Sequence, residues 1–459
     1  MKTGQIHSVY FVGIGGIGMS ALARYFREAG KRVAGYDRVK TELTTALEKE
    51  GMEIAYTDTP DAIPQWFLDT PLHQALVVYT PAIPAVHAGL NRLRNHGCEV
   101  LKRSDVLSAI TAGQQLIAVA GTHGKTTTTA MIAHMLHQSD LGCNAFLGGI
   151  SVNYDTNLIL DAHSQYAVVE ADEYDRSFLK LDPHFAVITS VDADHLDIYG
   201  DAEKMVEGFE AFAEKIHPDG CTLLRYGLPL KPKGKYITYS LDQVEADLHA
   251  TNVHIEAGEY VFQVVLRGEL LGTIQSVFPG SHNVENSLAA IGIALEVGLT
   301  FQEIAGYVAT FRGVKRRFEY HIRREDTVFI DDYAHHPTEI SACVGSVKEL
   351  YPDKRITGVF QPHLYSRTRD FGDDFATSLS ELNELLLMEI YPAREEPLPG
   401  IDSNWLLNKV QMVNKKLVDR QDLVKEVLRL RPEVLLTMGA GDIDKMIQPL
   451  KDALDEENA

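Results

Sequence analysis

The sequence predicts an α/β protein with three domains, and three observations support this fold class. Apolar runs typical of buried strands alternate with amphipathic helical segments from the beginning, as in SVYFVGIG, GMSALARYFREAG and KRVAGYD. Further series of the same kind start at QLIAVAG and at TVFIDDYAHHP. This alternation is typical of parallel sheets that are covered by helices. At 459 residues, the chain is also too long for one ordinary core.

The domain boundaries follow from the segments that separate these series. The polar stretch TAGQ precedes the second series, and the tract FRGVKRRFEY leads into the third. We therefore place the domains at residues 1–111, 112–312 and 313–459, and we expect the second junction to act as a hinge. Between Leu248 and Phe278 the pattern changes to short alternating strands such as YVFQVVLRG. These strands predict antiparallel hairpins beside the parallel sheet of the central domain.

Composition and charge exclude several classes of protein. A hydrophobic fraction of 45% and a charged fraction of 23% are typical of a soluble globular protein. We find neither an apolar run of transmembrane length nor a signal-peptide pattern, so we expect a cytoplasmic protein without membrane insertion. The four cysteines form no C-x-x-C pair, which argues against a disulfide framework. A net charge of -21 argues against nucleic acid as a partner.

The first glycine-rich loop satisfies G-x-G-x-x-G through Gly13, Gly15 and Gly18, between a predicted strand and a predicted helix. Glycines here allow the backbone to approach a pyrophosphate at the helix N-terminus, and Asp37, at the end of the next strand, could accept a ribose hydroxyl. The loop by itself favours an NAD-linked oxidoreductase with a Rossmann-like domain. A tight turn without a ligand is the alternative, and any nucleotide diphosphate could use the same loop.

The second glycine-rich loop, GTHGKTT, is the stronger signal. Its backbone amides and Lys125 would hold the β- and γ-phosphates of ATP, while the hydroxyl of Thr126 would bind Mg²⁺. The loop departs from G-x-x-x-x-G-K-[ST], because Val119 stands where the first glycine is expected. The preceding strand and the following helix still favour a phosphate loop over a chance glycine turn.

A phosphate loop of this kind needs an acid on a neighbouring strand to hold the metal. Glu170 ends the apolar run YAVVE, and Asp172, Glu173 and Asp175 follow in the adjacent loop. Any one of these acids could instead be a helix cap or a solvated loop residue. His195 follows the strand ITSV and would by itself be a structural hydrogen-bonding residue, but a metal or phosphate role is favoured here. The predicted metal ligands are Thr126, Glu170 and His195.

Nine motifs occur in this chain in the same order as in the Mur ligase family. They are GIGGIGMS, AGTHGKTTT, VEADEYDRSFL, DADHLDIYG, PGSHNVENSLAA, GVKRRFE, DDYAHHPTE, QPHLYSRT and TMGAGD. The chain resembles this family over all three inferred domains, and AHHPTE together with QPHLYSRT is highly specific. Within the family, GIGGIGMS and DDYAHHPTE are most similar to the branch that adds L-alanine.

The resemblance implies a fold and a reaction. The fold would be a Rossmann-like UDP-binding domain, a central P-loop ATPase domain and a C-terminal Rossmann-like α/β domain. The first loop would hold the diphosphate of UDP-N-acetylmuramate and the second would hold ATP, which displaces the dehydrogenase hypothesis. The reaction would join L-alanine to the lactyl carboxylate of the sugar through an acyl phosphate, with Mg²⁺, in peptidoglycan precursor synthesis. We expect a monomer or a homodimer.

The resemblance also assigns roles to individual residues of this sequence. Contacts with the UDP-sugar fall on Gly13, Gly15, Gly16, Gly18, Asp37, Thr80, His335, His363 and Arg367. Contacts with ATP fall on Gly121, Thr122, His123, Gly124, Lys125, Thr126, Thr127, Asn283, Asn286, Arg317 and Asp332. The catalytic residues would be Lys125, Glu170, His195, Arg316 and His336.

Several alternatives stay open at this point. PGSHNVENSLAA could be an ordinary helix start capped by Ser281 or Asn283, and the pair Arg316 and Arg317 could be solvated. The base for the alanine ammonium could be any of several histidines, or alanine could enter deprotonated. Several Mur ligases carry a carbamylated lysine after the D-H-x-D segment, but Lys204 is too close to that segment to match it. A sibling ligase for another amino acid or a peptide, a folate-type glutamate ligase, and a non-catalytic nucleotide sensor are the competing functions.

Overall fold

The computed structural model describes residues 3–192, 201–393 and 395–456. Within these ranges no helix is both long enough and apolar enough to span a bilayer. The chain forms two compact units. One comprises Met1–Thr251, Gln263–Ile274 and Glu285–Phe311, and the other comprises Asn252–Phe262, Gln275–Val284 and Arg312–Ala459.

The first sheet is parallel and has five strands in the order β3-β2-β1-β4-β5. Its strands are β1 Ser8–Val12, β2 Arg32–Tyr36, β3 Glu53–Ala55, β4 Ala75–Tyr79 and β5 Glu99–Lys102. Its helices are α1 Ile17–Glu28, α2 Glu42–Lys49, α3 Gln65–Leu68, α4 Ala88–His96 and α5 Arg103–Thr111. The strand order reverses between β1 and β4, and ligands of open α/β sheets bind beyond the carboxyl ends of strands at such a point. The first glycine loop, which follows β1, lies there.

The central sheet has ten strands in the order β15-β14-β13-β12-β11-β10-β6-β9-β7-β8. The strands are β6 Gln115–Ala120, β7 Asn144–Ser151, β8 Thr156–Ile159, β9 Tyr166–Glu170, β10 Phe185–Ile188, β11 Cys221–Arg225, β12 Tyr236–Ser240, β13 Leu248–Glu256, β14 Glu259–Leu266 and β15 Glu269–Ser276. The helices are α6 Lys125–Gln138, α7 Ala202–Ala213, α8 Ser281–Glu296 and α9 Phe301–Val308. Parallel pairing of β6 with β9 and β10 brings the carboxyl ends of these strands together beside the second glycine loop.

The hairpins predicted for the central domain are present. Two-residue connections join β13 to β14 and β14 to β15, and only antiparallel neighbours can be joined so tightly. These strands continue the central sheet at one edge, next to β12.

The third sheet has the order β16-β17-β21-β18-β19-β20, and only the pairing of β16 with β17 is antiparallel among its described strand pairs. Its strands are β16 Glu319–Arg323, β17 Val328–Asp332, β18 Ile356–Phe360, β19 Glu384–Leu387, β20 Lys415–Leu417 and β21 Val434–Met438. The helices are α10 Pro337–Leu350, α11 Tyr365–Asp370, α12 Gly372–Leu379, α13 Ser403–Lys409, α14 Arg420–Leu430 and α15 Ile447–Glu456. The loops after β17 and β18 therefore leave the same edge of the sheet, as expected for DDYAHHPTE and QPHLYSRT.

A buried polar contact attaches α1 to the central sheet within the first unit. The side chain of Asn157 in β8 is fully buried. Its Nδ2 donates to the carbonyl oxygen of Ile17 at 2.7 Å and to Oγ of Ser20 at 2.9 Å. Its Oδ1 accepts from Nη1 of Arg24 at 2.5 Å, and Arg24 also pairs with Glu50. Every hydrogen-bonding group of the Asn157 amide thus faces α1.

Candidate active site at the two phosphate loops

The second glycine loop connects β6 to α6, and its backbone needs glycine at two positions. Gly121 has φ +133° and Gly124 has φ +79°, a region that residues with a side chain rarely adopt. A Cβ on Gly121 would lie 2.1 Å from Oγ1 of Thr189, and a Cβ on Gly124 would lie 2.6 Å from Oδ1 of Asn286. The structure therefore places Asn286, one of the predicted ATP residues, directly against the loop.

Ser190 holds the loop in shape. Its Oγ lies 2.7 Å from Oγ1 of Thr122 and accepts from the backbone N–H of His123 at 2.9 Å. Oγ1 of Thr122 also accepts from the N–H of Asp192 at 3.1 Å. Thr127 is buried in the first turn of α6. Sequence reasoning missed Ser190, since a serine after a strand carries no pattern of its own.

Lys125 points back into the loop and forms an ion pair with Glu173. Its Nζ lies 2.9 Å from the Glu173 carboxylate and also donates to the carbonyl oxygens of Gly121 and Thr122. The side chain of Glu173 is 1% exposed and that of Lys125 is 13% exposed. Burial by itself would lower the pKa of Lys125, but the nearby carboxylates, Glu173 first among them, outweigh it and raise that pKa. The lysine is therefore held as a cation.

Thr126 and Glu170, both predicted metal ligands, lie side by side. Oγ1 of Thr126 donates to Oε2 of Glu170 at 2.9 Å. The Glu170 carboxylate lies over β7, where a Cβ on Gly148 would come within 1.7 Å of Oε2. Only glycine at position 148 leaves room for this carboxylate, a requirement that sequence reasoning missed.

The pair of Thr126 and Glu170 fits a Mg²⁺ site. Mg²⁺ prefers oxygen ligands and is usually held by one or two carboxylates together with waters and substrate phosphates. Among the residues that the structure describes, no cluster of three or more His, Cys, Asp or Glu side chains is arranged to hold a metal. A hydroxyl and a carboxylate beside a phosphate loop suit a Mg²⁺ ion whose other ligands are waters and nucleotide phosphate oxygens. His195, the third predicted ligand, lies outside the described residues.

The first glycine loop meets the loop that follows β4, which carries Thr80. The Cγ2 atom of Thr80 lies 2.8 Å from the position that a Cβ on Gly13 would take. Gly16 is the N-cap of α1 and provides no side-chain cap, so the helix N-terminus offers its amide groups to a ligand. Asp37 is used by the loop itself, because its Oδ2 accepts from the N–H of Gly15 at 2.8 Å. It thus shapes the loop, which the sequence did not indicate.

The third glycine of this motif, Gly18, lies against a residue that sequence reasoning missed. Nη1 of Arg103, at the start of α5, is 2.7 Å from the position that a Cβ on Gly18 would occupy. Nη2 of Arg103 donates to Oδ2 of Asp172 at 3.2 Å. Asp172 belongs to the acidic loop after β9, which also supplies Glu173.

In the second unit, Arg316 lies at a bend with φ +62° and is held by the sheet. Its Nε donates to the fully buried carboxylate of Asp331 at 3.1 Å, and its Nη2 donates to the carbonyl oxygen of Gly439 at 2.7 Å. The guanidinium of Arg317 lies 5.0 Å from the ring centre of Tyr333. The alternative of a solvated arginine pair thus does not describe Arg316.

Asp332, the last residue of β17, is buried, and His335 in the loop that follows is half-buried. Asp332 accepts from the N–H groups of Phe318 and Ala334, each at 2.7 Å, and burial raises its pKa to about 6. Nδ1 of His335 lies 2.9 Å from the carbonyl oxygen of Tyr333. Burial lowers the pKa of His335 to about 4, so its ring is neutral at pH 7.

The structure brings together the histidines at consecutive strand ends, although their roles differ. The rings of His335 and His363 are 6.1 Å apart. His336 is the N-cap of α10, where it forms a capping box with Glu339, and its ring packs on Phe371. Arg367 lies in α11.

The side chain of Asn283 contacts the residues that precede α8. Its Nδ2 donates to the carbonyl oxygen of Pro279 at 2.6 Å, and its side chain is buried. A capping side chain accepts from a backbone N–H, whereas here the Asn283 amide donates to a carbonyl, so this contact is not the cap of the helix-start alternative.

Comparison with known proteins relates three successive parts of the chain to one family. Residues 8–115 match the catalytic domain of the Mur ligase family, residues 119–294 match the Mur ligase middle domain, and residues 316–441 match the glutamate ligase domain of Mur ligases. A UDP-N-acetylmuramate–L-alanine ligase of Parabacteroides distasonis is 48% identical over 99% of this chain and 98% of its own length. The corresponding enzyme of Christiangramia forsetii is 46% identical, with 98% of each chain covered.

A solved structure supports this relationship. The UDP-N-acetylmuramate–alanine ligase of Thermotoga maritima superposes with a TM-score of 0.84 at 27% identity, covering 98% of this chain and 99% of that one. A murein peptide ligase of Psychrobacter arcticus shares the fold with a TM-score of 0.69 at 23% identity, covering 98% of each chain. The family matches and the full-length identity together show that this chain belongs to the Mur ligase family.

Proposed function

We propose that this chain ligates L-alanine to the lactyl carboxylate of UDP-N-acetylmuramate at the expense of ATP, releasing ADP and phosphate in peptidoglycan precursor synthesis. The observation that carries the proposal is the pair of phosphate loops at the carboxyl ends of two separate sheets in one chain. Two such loops suit a reaction that uses two nucleotides. The full-length identity of 48% to a ligase of this name supports the choice of substrates.

We propose a separate role for each of the three parts of the chain that contain a sheet. Residues 1–111 bind the UDP-sugar, residues 112–312 bind ATP, and residues 313–459 complete the ligase site. The residues proposed for the UDP-sugar are Gly13, Gly15, Gly16, Gly18, Asp37, Thr80, His335, His363 and Arg367. Those proposed for ATP are Gly121, Thr122, His123, Gly124, Lys125, Thr126, Thr127, Asn283, Asn286, Arg317 and Asp332.

The chemistry explains why cations surround the phosphate loop. A carboxylate is a poor electrophile, so an oxygen of the lactyl carboxylate first attacks the γ-phosphorus, and ADP leaves. The amine of alanine then attacks the acyl carbon of this acyl phosphate, and the tetrahedral intermediate expels phosphate. The first step brings two anions together, and positive groups must neutralise them. The raised pKa of Lys125 supports its assignment to this role.

The other proposed catalytic residues are Glu170, His195, Arg316 and His336. We propose Mg²⁺ as the cofactor, held by Thr126, Glu170 and His195, where it would neutralise phosphate charge. The contact between Thr126 and Glu170 supports this ligand set. We further propose that the enzyme acts in the cytoplasm as a monomer or a homodimer.

A phosphate-release assay tests the proposal. Purified protein is given ATP, Mg²⁺ and UDP-N-acetylmuramate with a panel of L-amino acids and short peptides. We expect release that requires the sugar and is fastest with L-alanine, and a loss of at least about a hundredfold in Lys125→Met, because that variant removes a charge at the phosphates. Lys215→Met, which affects an exposed ion pair with Asp182, is the matched control and should keep the activity.

The other outcomes of this assay are distinct. Turnover only with a peptide or with another amino acid would replace the alanine assignment by a sibling ligase. Absence of release with every acceptor would contradict the proposed reaction and favour a nucleotide sensor.

A further inference from the structure

Arg103 lies between the helix that follows the first phosphate loop and the acidic loop that follows β9. It is the first residue of α5, and its side chain is 22% exposed. One guanidinium nitrogen lies beside Gly18, in the first turn of α1, while another binds the carboxylate of Asp172. A single side chain thus touches the helix of the first loop and the acidic loop of the second.

On the side of the first loop, Arg103 adds a cation to a helix N-terminus. Gly18 has no side chain, and this absence leaves the space that the guanidinium occupies. The amides at the N-terminus of α1 attract an anion, and Gly16 provides no side-chain cap that would compete. A planar guanidinium also suits phosphate oxygens, to which it can donate two parallel hydrogen bonds. A nucleoside diphosphate on this loop would therefore meet Arg103.

On the side of the second loop, Asp172 connects Arg103 to the residues around Lys125. Oδ1 of Asp172 accepts from the N–H of Tyr174 at 3.0 Å, at the start of a 3-10 helix. Glu173, the next residue, is the buried partner of Lys125. The position of Asp172 therefore affects the ATP site.

We propose that Arg103 is a shared residue of the two nucleotide sites, which binds the diphosphate of the UDP-sugar and positions the acidic loop at the ATP site. The identity of the diphosphate rests on the proposed function. A diphosphate that fixes the Arg103 side chain also fixes Asp172 and the acidic loop that carries Glu173, the partner of Lys125. Binding at each site then favours binding at the other, and the coupling is reciprocal.

Calorimetric titration of UDP, with and without a non-hydrolysable ATP analogue, tests the inference. Wild-type protein should bind UDP at least about fivefold more tightly when the analogue is present. Arg103→Met should weaken UDP binding about tenfold or more, because it loses a charge-assisted hydrogen bond. In this variant the analogue should no longer change the affinity for UDP, whereas Arg103→Lys should keep part of the coupling.

Lys180→Met is the matched control. Lys180 pairs with Asp105 of the same helix α5 at 2.5 Å, and its carbonyl oxygen accepts from Ser108 at 2.8 Å. The ion pair of Lys180 links α5 to the same 3-10 helix, but the cation does not lie beside Gly18. Lys180→Met should therefore keep both the UDP affinity and the coupling.

Each contrary result has a separate meaning. UDP binding by Arg103→Met within twofold of wild type would overturn the shared role of Arg103 and leave the proposed function standing. An equal loss in Lys180→Met would also overturn it, since the effect would then come from the α5 contact in general. Wild-type protein that binds no UDP would overturn the proposed function and this inference together.

Discussion

At the scale of single residues, Lys125 and Glu173 form a buried ion pair at the phosphate loop. A lysine of this loop is expected to contact phosphates. In the structure the Glu173 carboxylate supplies the negative charge that a nucleotide phosphate would bring. Glu173 thus neutralises the lysine in the absence of a nucleotide, and we expect it to compete with a bound phosphate.

We therefore expect Glu173→Gln to have opposite effects on stability and on nucleotide binding. Without nucleotide, the variant should lose about 3 kcal/mol of unfolding free energy, because a buried cation loses its partner. A bound phosphate restores that partner, so ATP with EDTA should raise the melting temperature of the variant more than that of wild type. Thermal melting with and without ATP measures both effects.

Glu214→Gln is the control for this prediction. Glu214 pairs with Lys233 on the surface, where loss of a pair changes stability little. An ATP-induced shift in Glu173→Gln no larger than that in wild type would show that Glu173 does not compete with the phosphate.

At the scale of elements, helix α6 carries the phosphate loop at one end and is fixed by His134 towards the other. Nδ1 of His134 lies 2.7 Å from the hydroxyl of Tyr154, and Nε2 lies 3.1 Å from the carbonyl oxygen of Tyr307. A carbonyl can only accept, so we assign the proton to Nε2, and Nδ1 accepts from Tyr154. Burial lowers the pKa of His134 to about 4. The neutral ring thus connects α6 to the end of α9.

This pKa predicts a loss of stability in acid. The unfolded chain binds a proton at His134 near pH 6.5, whereas the folded chain does so only near pH 4. The free energy of unfolding is therefore highest with respect to this group above pH 6.5. It decreases as the pH falls towards 4, by about 3 kcal/mol in total. We expect His134→Gln, which lacks this titration, to show a weaker fall in melting temperature over that range.

His163→Gln, at an exposed position, provides the comparison and should follow wild type. If the melting temperature of His134→Gln falls as steeply as that of wild type between pH 6.5 and 4, His134 does not carry this acid sensitivity.

At the scale of the whole molecule, the first and central sheets of the first unit are connected through buried polar groups as well as a shared apolar core. The core includes Phe26 of α1 and Phe146 of β7. Asn157 adds three hydrogen bonds from β8 to α1. These buried hydrogen bonds fix the alignment of the two sheets, because a buried polar group is destabilising when it has no hydrogen-bond partner.

We expect Asn157→Ala to weaken the contact between β8 and α1. The substitution removes three buried hydrogen bonds, which costs about 2 kcal/mol or more, although the Ile17 carbonyl oxygen keeps Ser20 and the Arg24 guanidinium keeps Glu50. Amide hydrogen exchange should become faster in α1 and β8, while the third sheet should be unaffected. Asn95→Ala, at an exposed position of α4, is the control. Unchanged exchange in α1 would mean that the apolar core alone holds the two sheets together.

The sequence alone predicted the three α/β series, both glycine loops between a strand and a helix, and Glu170 at a strand end. These features are local: the alternation of apolar and polar residues sets strand and helix, and glycine sets the loop conformation. Their order along the chain was sufficient to indicate the family.

The tertiary structure alone decided which charged side chains meet. Lys125 pairs with Glu173, which is 48 residues away, and Arg103 pairs with Asp172, which is 69 residues away. From the sequence, Glu173 and Asp172 were equivalent acids of one loop, and Arg103 had no pattern at all. Likewise, glycine is required at position 148 only because the Glu170 carboxylate lies over it. Such contacts depend on how strands are ordered in a sheet and how sheets pack, whereas local patterns specify only the strands and helices themselves.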